Sequence, residues 1–442
     1  MDAEAAESLT KLLRPEGWAL LNALPPYDPH QAMALAAGLR AKGVDPGLAA
    51  AAMTQSRLRA KGREKFGEFA DGMLFTQAGL EQATRLVVAA RHAQRYLTAG
   101  VTHVADLTCG IGADAMTFAG MGLRVLAADV DEATASVATV NLRHHPEAVV
   151  RHADGLTLDL AAEGVDGVYA DPARRTRSGS RIVDPKAYAP PLDAVWALRD
   201  RVAAVGIKVG PGISHNGLPQ DAETQWVSVD GDVVEAGIWF GPLAPDGPGR
   251  SALVLRQVTG PDGAPTTLAR AVRPGALSGG PDDGPDLVPD VGAVGQYLYE
   301  PDGAVIRAGL VAYAAQDLHG RLLDRTIAYV TTDAPAPVRE NGLAAGLATG
   351  YRVLDTMPFG LKRLRAYLRE RGVGRLTIKK RGTAVVPEQL RKQLDLRGDG
   401  EGTIILTRVG GAQQVLVVEP LARTTHGTGP GAGAPDDQGD AA

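Results

Sequence analysis

The stretch Val104–Asp131, VADLTCGIGADAMTFAGMGLRVLAADVD, decides the fold. Val101–Asp106 is a short, mostly apolar run ending in an acid, the pattern of a buried parallel strand. Thr108–Gly112 is a tight turn with glycines at 110 and 112, and Ala113–Ala119 has helical spacing until Gly120 and Gly122 stop it. Arg124–Asp129 is a second apolar strand, again ending on an acid. Right-handed crossovers make the two strands of such a strand–turn–helix–strand unit parallel neighbours. Glycines without a Cβ let backbone N–H groups approach a ligand, and the N-terminus of the following helix favours a negative group. An acid at the end of the second strand can take both hydroxyls of a ribose.

A unit of this kind can bind several nucleotides, and three details narrow the choice. The turn reads D-x-x-C-G-x-G and lacks the third glycine of a dinucleotide fingerprint. No Lys-Ser/Thr pair follows the glycines, so the turn is not a phosphate-cradling P-loop. The gap from Gly110 to the acids Asp129-Val130-Asp131 is short. These residues resemble motif I and the acidic motif II of class I S-adenosylmethionine-dependent methyltransferases. The resemblance implies that Asp106 holds the amino end of the cofactor through the loop and that Asp129 binds its ribose. Gly110 and Gly112 then line its methionine part, with Cys109 a small residue fitted into the same loop.

The next strands extend the pattern. Val149–Asp154 ends in another acid, and the resemblance puts Asp154 opposite the adenine amine. Val165–Ala170 runs into Asp171-Pro172-Ala173-Arg174, where this family keeps its catalytic motif, commonly Asn/Asp-Pro-Pro-aromatic in enzymes that methylate exocyclic amines. Four apolar strands, each ending at a polar residue, place these groups along the one sheet edge where open α/β sheets bind ligands.

The chain has 442 residues and a net charge of −5, room for two or three domains. That charge argues against wholesale coating of nucleic acid but leaves local basic patches open. The single cysteine, Cys109, excludes a disulfide framework, a multi-cysteine zinc site and a two-cysteine attack on a pyrimidine; no metal is expected. The N-terminus lacks a basic and apolar signal region, and no stretch approaches a membrane span, so a soluble cytoplasmic protein is expected.

Residues 1–95 read as a helical region, with Gly43, Pro46 and Gly47 as breaks. Thr76 suits the N-cap of a helix carrying Leu80, Thr84, Val87, Val88 and Ala90. In the family this helix helps close the cofactor site, so Gln82 and Thr84 are candidates for the cofactor carboxylate; an ordinary packing helix explains them equally well. Residues 96–258 are the methyltransferase core. In it Ala203–Gly210 is a fifth strand holding Lys208, read either as a surface lysine or as a group at the site. Gln225–Asp230 and Val233–Phe240 form a hairpin. Residues 259–290, rich in Pro, Gly and Asp, read as a linker, and 421–442 as a disordered tail.

Residues 291–420 form a second, α+β unit. From Leu361 to Arg397 its basic residues (Lys362, Arg363, Arg365, Arg369, Arg371, Arg375, Lys379, Lys380, Arg381, Arg391, Lys392 and Arg397) face only Glu370, Glu388 and Asp395. Such local excess is the electrostatic footprint of a phosphate-backbone binder, although charged helix faces are usually just solvated. Lys379-Lys380-Arg381 ends a strand and enters a loop, which favours contact.

The segments MLFTQAGLEQATR, DLTCGIGADAMTFA, YADPARR, PDGAVIRAGL and TIKKRG…LRKQL together resemble bacterial class I methyltransferases with a C-terminal THUMP-like domain. The resemblance implies a Rossmann-like core with a seven-stranded, mostly parallel sheet, S-adenosylmethionine as cofactor, and an RNA substrate such as tRNA or rRNA, because THUMP domains elsewhere bind RNA. The glycine turn also resembles that of trimethylguanosine-synthase-like enzymes, which methylate a guanine N2. One departure stands out: Asp171-Pro172-Ala173-Arg174 lacks the second proline and the aromatic that stacks on a flipped base. Asp171 and the Pro172 carbonyl supply an acceptor for an exocyclic N–H. Arg174 can stack or clamp a phosphate, and Arg175 and Arg177 suit a phosphate-lined entry. The leading expectation is therefore an RNA base methyltransferase. A small-molecule methyltransferase and an RNA-binding protein with a vestigial pocket are the alternatives.

Overall fold

The structure is a computed structural model that describes residues 9–173, 187–259, 265–273, 289–337 and 346–421. The chain divides into two compact units, Met1–Thr224 with Glu235–Gly249, and Gln225–Val234 with Arg250–Ala442.

The first unit opens on helices α1 (Pro15–Ala23), α2 (Ala32–Ala41) and α3 (Pro46–Phe66). Asp45 caps α3 through the Leu48 N–H at 2.8 Å, with Pro46 pre-set at the first helical position. The face of α3 bearing Ala52, Leu58 and Phe66 is buried in the same apolar cluster as Val104, Phe118 and Val125 of the sheet region. Two side-chain amides stitch the connection that follows. Gln55 exchanges two hydrogen bonds with the Phe75 backbone (2.6 and 3.0 Å). Asn141 does the same with Leu74 (2.8 and 3.0 Å) and also donates to the Ile111 carbonyl at 2.8 Å. Buried backbone groups of a non-repetitive segment need such partners.

The helix expected after Thr76 is two helices, α4 (Gln77–Gln82) and α5 (Leu86–Thr98). Thr76 caps α4 through the Gly79 N–H, as its residue type suggests. Ala83 and Arg85 take extended backbone angles, and Thr84 between them is buried with its hydroxyl bonded to polar side chains. Lys65 stabilises the break by donating to the carbonyls of Leu80, Glu81 and Ala83, each at 2.8 Å.

The core sheet is built from β1 (His103–Asp106), β2 (Arg124–Asp129), β3 (Ala148–His152), β4 (Gly167–Ala170) and β5 (Ala204–Val209), all parallel where they pair. Helices α6 (Ala113–Gly120), α7 (Glu132–Asn141) and the short α8 (Leu192–Trp196) fall between them. The hairpin strands β6 (Ala222–Val229) and β7 (Asp232–Phe240) follow, β7 running antiparallel to β5. The strand order is β3-β2-β1-β4-β5-β7-β6-β8-β9, with β8 (Gly249–Thr259) and β9 (Pro265–Val272) antiparallel to each other. The sheet thus has nine strands where seven were expected, and residues 265–272, expected in the linker, form a strand. Proline- and glycine-rich flanks hide β9 in the sequence; its pairing with β8 defines it. Residues 274–288 of the expected linker lie outside the described residues, as does 422–442 of the expected tail.

The second unit contains a seven-stranded sheet in the order β11-β12-β10-β13-β16-β15-β14. Its strands are β10 (Tyr297–Pro301), β11 (Arg321–Asp324), β12 (Ile327–Thr332), β13 (Ala348–Pro358), β14 (Val373–Lys380), β15 (Gly400–Val409) and β16 (Ala412–Pro420). Every pairing is antiparallel except β14 with β15. Helices α9 (Gly303–Arg307) and α10 (Val311–Asp317) precede β11, α11 (Leu361–Glu370) precedes β14, and α12 (Pro387–Leu394) makes the parallel crossover. Leu364 and Leu368 of α11 and Leu390 and Leu394 of α12 bury against Leu376, Ile404 and Val415, while a separate apolar cluster holds Tyr329, Tyr351 and Ile405. Alternation along the strands divides the two clusters.

Candidate active site

Parallel pairing of β1, β2, β4 and β5 brings their C-terminal ends to one edge of the sheet. Asp106, Asp129, Asp171 and Lys208 sit there. The glycine turn after β1 is hung between the neighbouring strands. The Cys109 N–H donates to the Ala128 carbonyl of β2 at 2.9 Å, and the Gly110 N–H to Asp129 Oδ2 at 3.1 Å. On the other side, the Asp171 N–H donates to Thr108 Oγ1 at 2.6 Å. Gly110 and Gly112 have φ of +55° and +88°, the left-handed region that a side chain disfavours. A Cβ at Gly110 would meet nothing within 4 Å, so the space over the turn is open.

The acids at this edge differ in state. Asp106 is 1 % exposed and accepts one backbone bond, from Thr108 at 3.3 Å. Burial, with Asp114, Asp171 and Asp129 nearby, pushes its carboxyl well above the usual range. Asp129 is raised more modestly by burial, because the Asp131 and Gly110 N–H groups hold it. These two bonds use two of the roughly four lone-pair positions of the Asp129 carboxylate, leaving one per oxygen. Asp154 is exposed two residues past β3, where its side chain accepts the Leu156 N–H at 3.0 Å. Cys109 is buried, and burial pushes its thiol well up, disfavouring the thiolate.

Behind Asp171 lies a chain of buried polar groups, most of which the sequence did not single out. Lys208 Nζ donates to Asp171 Oδ2 at 2.5 Å and to Thr84 Oγ1 at 2.9 Å. Thr84 in turn donates to Asp114 Oδ2 at 2.6 Å. Asp114 Oδ1 meets His92 Nδ1 at 2.8 Å, and His92 Nε2 meets Glu235 Oε1 at 2.7 Å. The Tyr169 hydroxyl lies 3.2 Å from His92 Nδ1. The two carboxylates outweigh burial and raise His92 to about 9, so it is an imidazolium at neutral pH. Asp114 is held below the usual range by His92, Lys208 and Thr84 against its burial. Lys208 is held above its ordinary value against its own burial, by Asp171 first and then Asp114 and Glu235. Burial raises Asp171, and the Lys208 ammonium opposes it.

Thr84, expected at the cofactor carboxylate, therefore has its hydroxyl engaged in this chain, while Gln82 is exposed at the end of α4. Pro172 is buried; Arg174, Arg175 and Arg177 lie outside the described residues. His92, Asp114 and Glu235 carried weak signals. His92 shares the buried face of α5 with Val88 and Tyr96, and Asp114 sits in the first turn of α6, where an acid suits the helix dipole.

Comparison with known proteins places these residues in a family. Two uncharacterised S-adenosylmethionine-dependent methyltransferases of Mycobacterium tuberculosis, from strains CDC 1551 and H37Rv, are each 32 % identical over 385 residues. The match covers 84 % of this chain and 95 % of theirs. The chain belongs to the S-adenosylmethionine-dependent methyltransferases. A crystal structure from Porphyromonas gingivalis W83, described as a methyltransferase, shares the fold with a TM-score of 0.63 at 19 % identity, over 89 % of this chain and 99 % of that one. Residues 348–420 of the methyltransferase match the THUMP domain-like family, and residues 5–62 match a domain of unknown function.

The edge of the methyltransferase sheet fits its cofactor. The open turn at Gly110 would leave room for the methionine part, the remaining lone pairs of Asp129 would be free for ribose hydroxyls, and the neighbouring Val130, 67 % exposed, would present an apolar surface to adenine. A cationic amino group beside the buried Asp106 would favour its ionised form.

In the THUMP-like unit, Lys379 and Arg381 converge on one acid. Lys379 Nζ lies 2.7 Å from Glu300 Oε2, and an Arg381 amine 3.2 Å from Glu300 Oε1. Their cations also lie over the rings of Tyr351 and Tyr329. Lys380 donates to the Val385 carbonyl at 2.9 Å. Lys362 and Arg363 stand exposed on α11, and Arg371 stacks on Tyr367. Among the described residues no helix is long and apolar enough to cross a membrane.

Proposed function

We propose that this methyltransferase methylates an exocyclic amine of an RNA base, with Asp171 as the acceptor of the amine N–H and the THUMP-like unit as the RNA-binding part. The observation that carries the reading is the state of Asp171. It lies at the end of β4 beside the glycine turn, is 27 % exposed in its side chain, and among the described residues has one of its two carboxylate oxygens taken, by Lys208.

S-adenosylmethionine supplies an electrophilic methyl group on sulfonium sulfur. The chain's own work is to hold the amine nitrogen in line with that carbon, which is mostly a matter of positioning. Asp171 and the Pro172 carbonyl orient the N–H groups so that the lone pair faces the methyl carbon. A flipped base is easiest to present from a single-stranded or loop region. Arg174, Arg175 and Arg177 are proposed to line the entry for phosphates, and Lys379, Lys380 and Arg381 to contact the backbone. Glu300 neutralises part of the last group, so exposed cations such as Lys362 and Arg363 add to the field. The basic excess of the region and its THUMP domain-like match favour RNA over a small molecule.

The test is transfer of labelled methyl from S-adenosylmethionine to total RNA from cells lacking the gene and from wild type. Labelling of the deletion RNA alone is the expected result, and Asp171→Ala removes it while calorimetry finds cofactor affinity nearly unchanged. Absence of labelling from both RNAs, with the cofactor bound, would shift the reading to a small-molecule acceptor.

A further inference from the structure

We propose that Lys208 is a positioning residue for Asp171: anchored by the Thr84–Asp114–His92–Glu235 chain, its ammonium holds one carboxylate oxygen and leaves the other to take the proton released by a methylated amine. This inference rests on the reading of Asp171 as the acceptor.

Lys208 is the penultimate residue of β5, between Ile207 and Val209, both buried, and is itself 7 % exposed. A buried ammonium loses several kcal/mol of hydration, which well-placed carboxylates offset. A well-packed apolar residue would serve β5 as well or better, so stability alone does not call for a charge here. The arrangement of partners indicates its use. Along the chain the signs alternate: Asp171, Lys208, then Asp114 through Thr84, then His92, then Glu235. With three carboxylates and two cations, one negative charge is left over. It belongs at Asp171, because the side chains of Lys208, His92, Asp114 and Glu235 are 9 %, 3 %, 9 % and 3 % exposed and that of Asp171 is 27 %. The chain thus places its one uncompensated charge where a substrate can reach it.

Five elements fix the geometry: β4, β5, β7, the start of α6, and the α4–α5 region. The α4–α5 break exposes Thr84 to Lys208, and Tyr169, two residues before Asp171 on β4, meets His92 from the other side. The Asp171 rotamer is therefore set from behind, through Oδ2, while Oδ1 has no partner among the described residues.

The chemistry balances. The amine lone pair bonds to the methyl carbon, the cofactor's sulfur keeping the electron pair of the broken C–S bond, and the nitrogen is left with a positive charge. Its proton passes to Asp171 Oδ1, turning the carboxylate into the acid, while Lys208 remains an ammonium. Water then takes the proton. The groups facing Asp171 are Lys208 from β5, Asp114 from α6, Glu235 from β7, Asp106 from β1 and, one link further, His92 from α5. Among them Lys208 is the cation in direct contact.

The experiment uses the full chain as wild type, Lys208→Met, Lys208→Arg and Asp171→Asn. Carbon-13 at the aspartate carboxyls reports ionisation, and the signal lost in Asp171→Asn is that of Asp171. In Lys208→Met the Asp171 midpoint should rise by about two pH units or more. Methyl transfer to total RNA from cells lacking the gene should fall on the order of 100-fold in kcat, the cost of a misplaced group. The KM for RNA and the S-adenosylmethionine dissociation constant should hardly move. Lys208→Arg should restore most of the rate. An unchanged Asp171 titration in folded Lys208→Met, or a loss of cofactor affinity that matches the loss of rate, would overturn the proposal. Full transfer by Asp171→Asn would overturn the acceptor reading instead, and the Asp171 titration would still decide whether Lys208 sets its state. If Lys208→Met does not fold, Thr84→Val cuts the same chain. It should lower kcat about tenfold at unchanged cofactor affinity, and an unchanged kcat would overturn the proposal.

Discussion

Gly112 and His92 show two ways a single residue limits this protein. The turn at Gly112 runs at φ +88°, and a Cβ there would sit 3.5 Å from Ala138 Cα, an ordinary contact. The cost of Gly112→Ala is therefore in the backbone, about 1–2 kcal/mol. We expect a lower denaturant midpoint and, because the turn shifts, weaker S-adenosylmethionine binding by calorimetry; unchanged affinity would separate the turn from the cofactor. His92→Leu leaves Asp114 and Glu235 facing each other without their bridging cation, which should cost about 3–5 kcal/mol. The same residue sets a pH dependence. Its pKa is raised from 6.5 to about 9 on folding, so its contribution is complete below about pH 6.5 and is lost as pH rises through about 9. Wild-type unfolding free energy should fall over that window, and the His92→Leu curve should be flatter there. Asp114 acts at the other end: held low in the fold, it stabilises above its unfolded pKa and stops doing so in acid. The residues of the glycine turn were legible because their backbone demands are local. His92, Asp114 and Glu235 were not, because nothing in a one-dimensional pattern says that residues 92, 114 and 235 meet.

At the level of elements, the break between α4 and α5 matters most. The run from Thr76 to Leu97 has the composition of one helix, and Thr76 was readable as its cap. The interruption is imposed by partners distant in sequence. Lys65 collects the carbonyls of Leu80, Glu81 and Ala83, and Thr84 meets Asp114 and Lys208. Lys65→Met removes one charged donor shared by three carbonyls, and the net contribution of hydrogen bonding to a charged group is about 1.5–3 kcal/mol. We expect a loss of about 2 kcal/mol in denaturant unfolding, with amide exchange rising first in residues 77–85. Uniform exchange across the unit would show that the clamp is not local. Strand β9 teaches the same lesson: its flanking prolines and glycines read as linker, and only its partner β8 makes it a strand.

For the whole molecule, net charge and local charge point in opposite directions. The chain is at −5, yet its basic residues gather between Leu361 and Arg397. Tertiary contacts then change what that excess is worth, since Glu300 of β10 binds both Lys379 and Arg381. Glu300→Gln should free these cations. We expect tighter binding of total RNA and a salt dependence steeper by about one unit in log–log slope, measured by filter binding across a salt series. An unchanged slope would mean that Lys379 and Arg381 do not reach phosphate, leaving α11 as the candidate surface.

What the sequence determined by itself was the class of fold, the glycine turn and the row of acids at the strand ends. Hydrophobic period, glycine placement and strand-terminal charge are local properties, written in neighbouring residues. Tertiary structure alone decided how those acids are charged and which cations answer them. Asp106, Asp129 and Asp171 look alike in the chain, but burial and partners separate them: one deeply buried with a single long backbone bond, one held by two backbone N–H groups, one held by a lysine. Desolvation and Coulomb interaction depend on distance through space, and the fold sets that distance by packing β1, β4, β5, β7, α5 and α6 around a single buried row of charges.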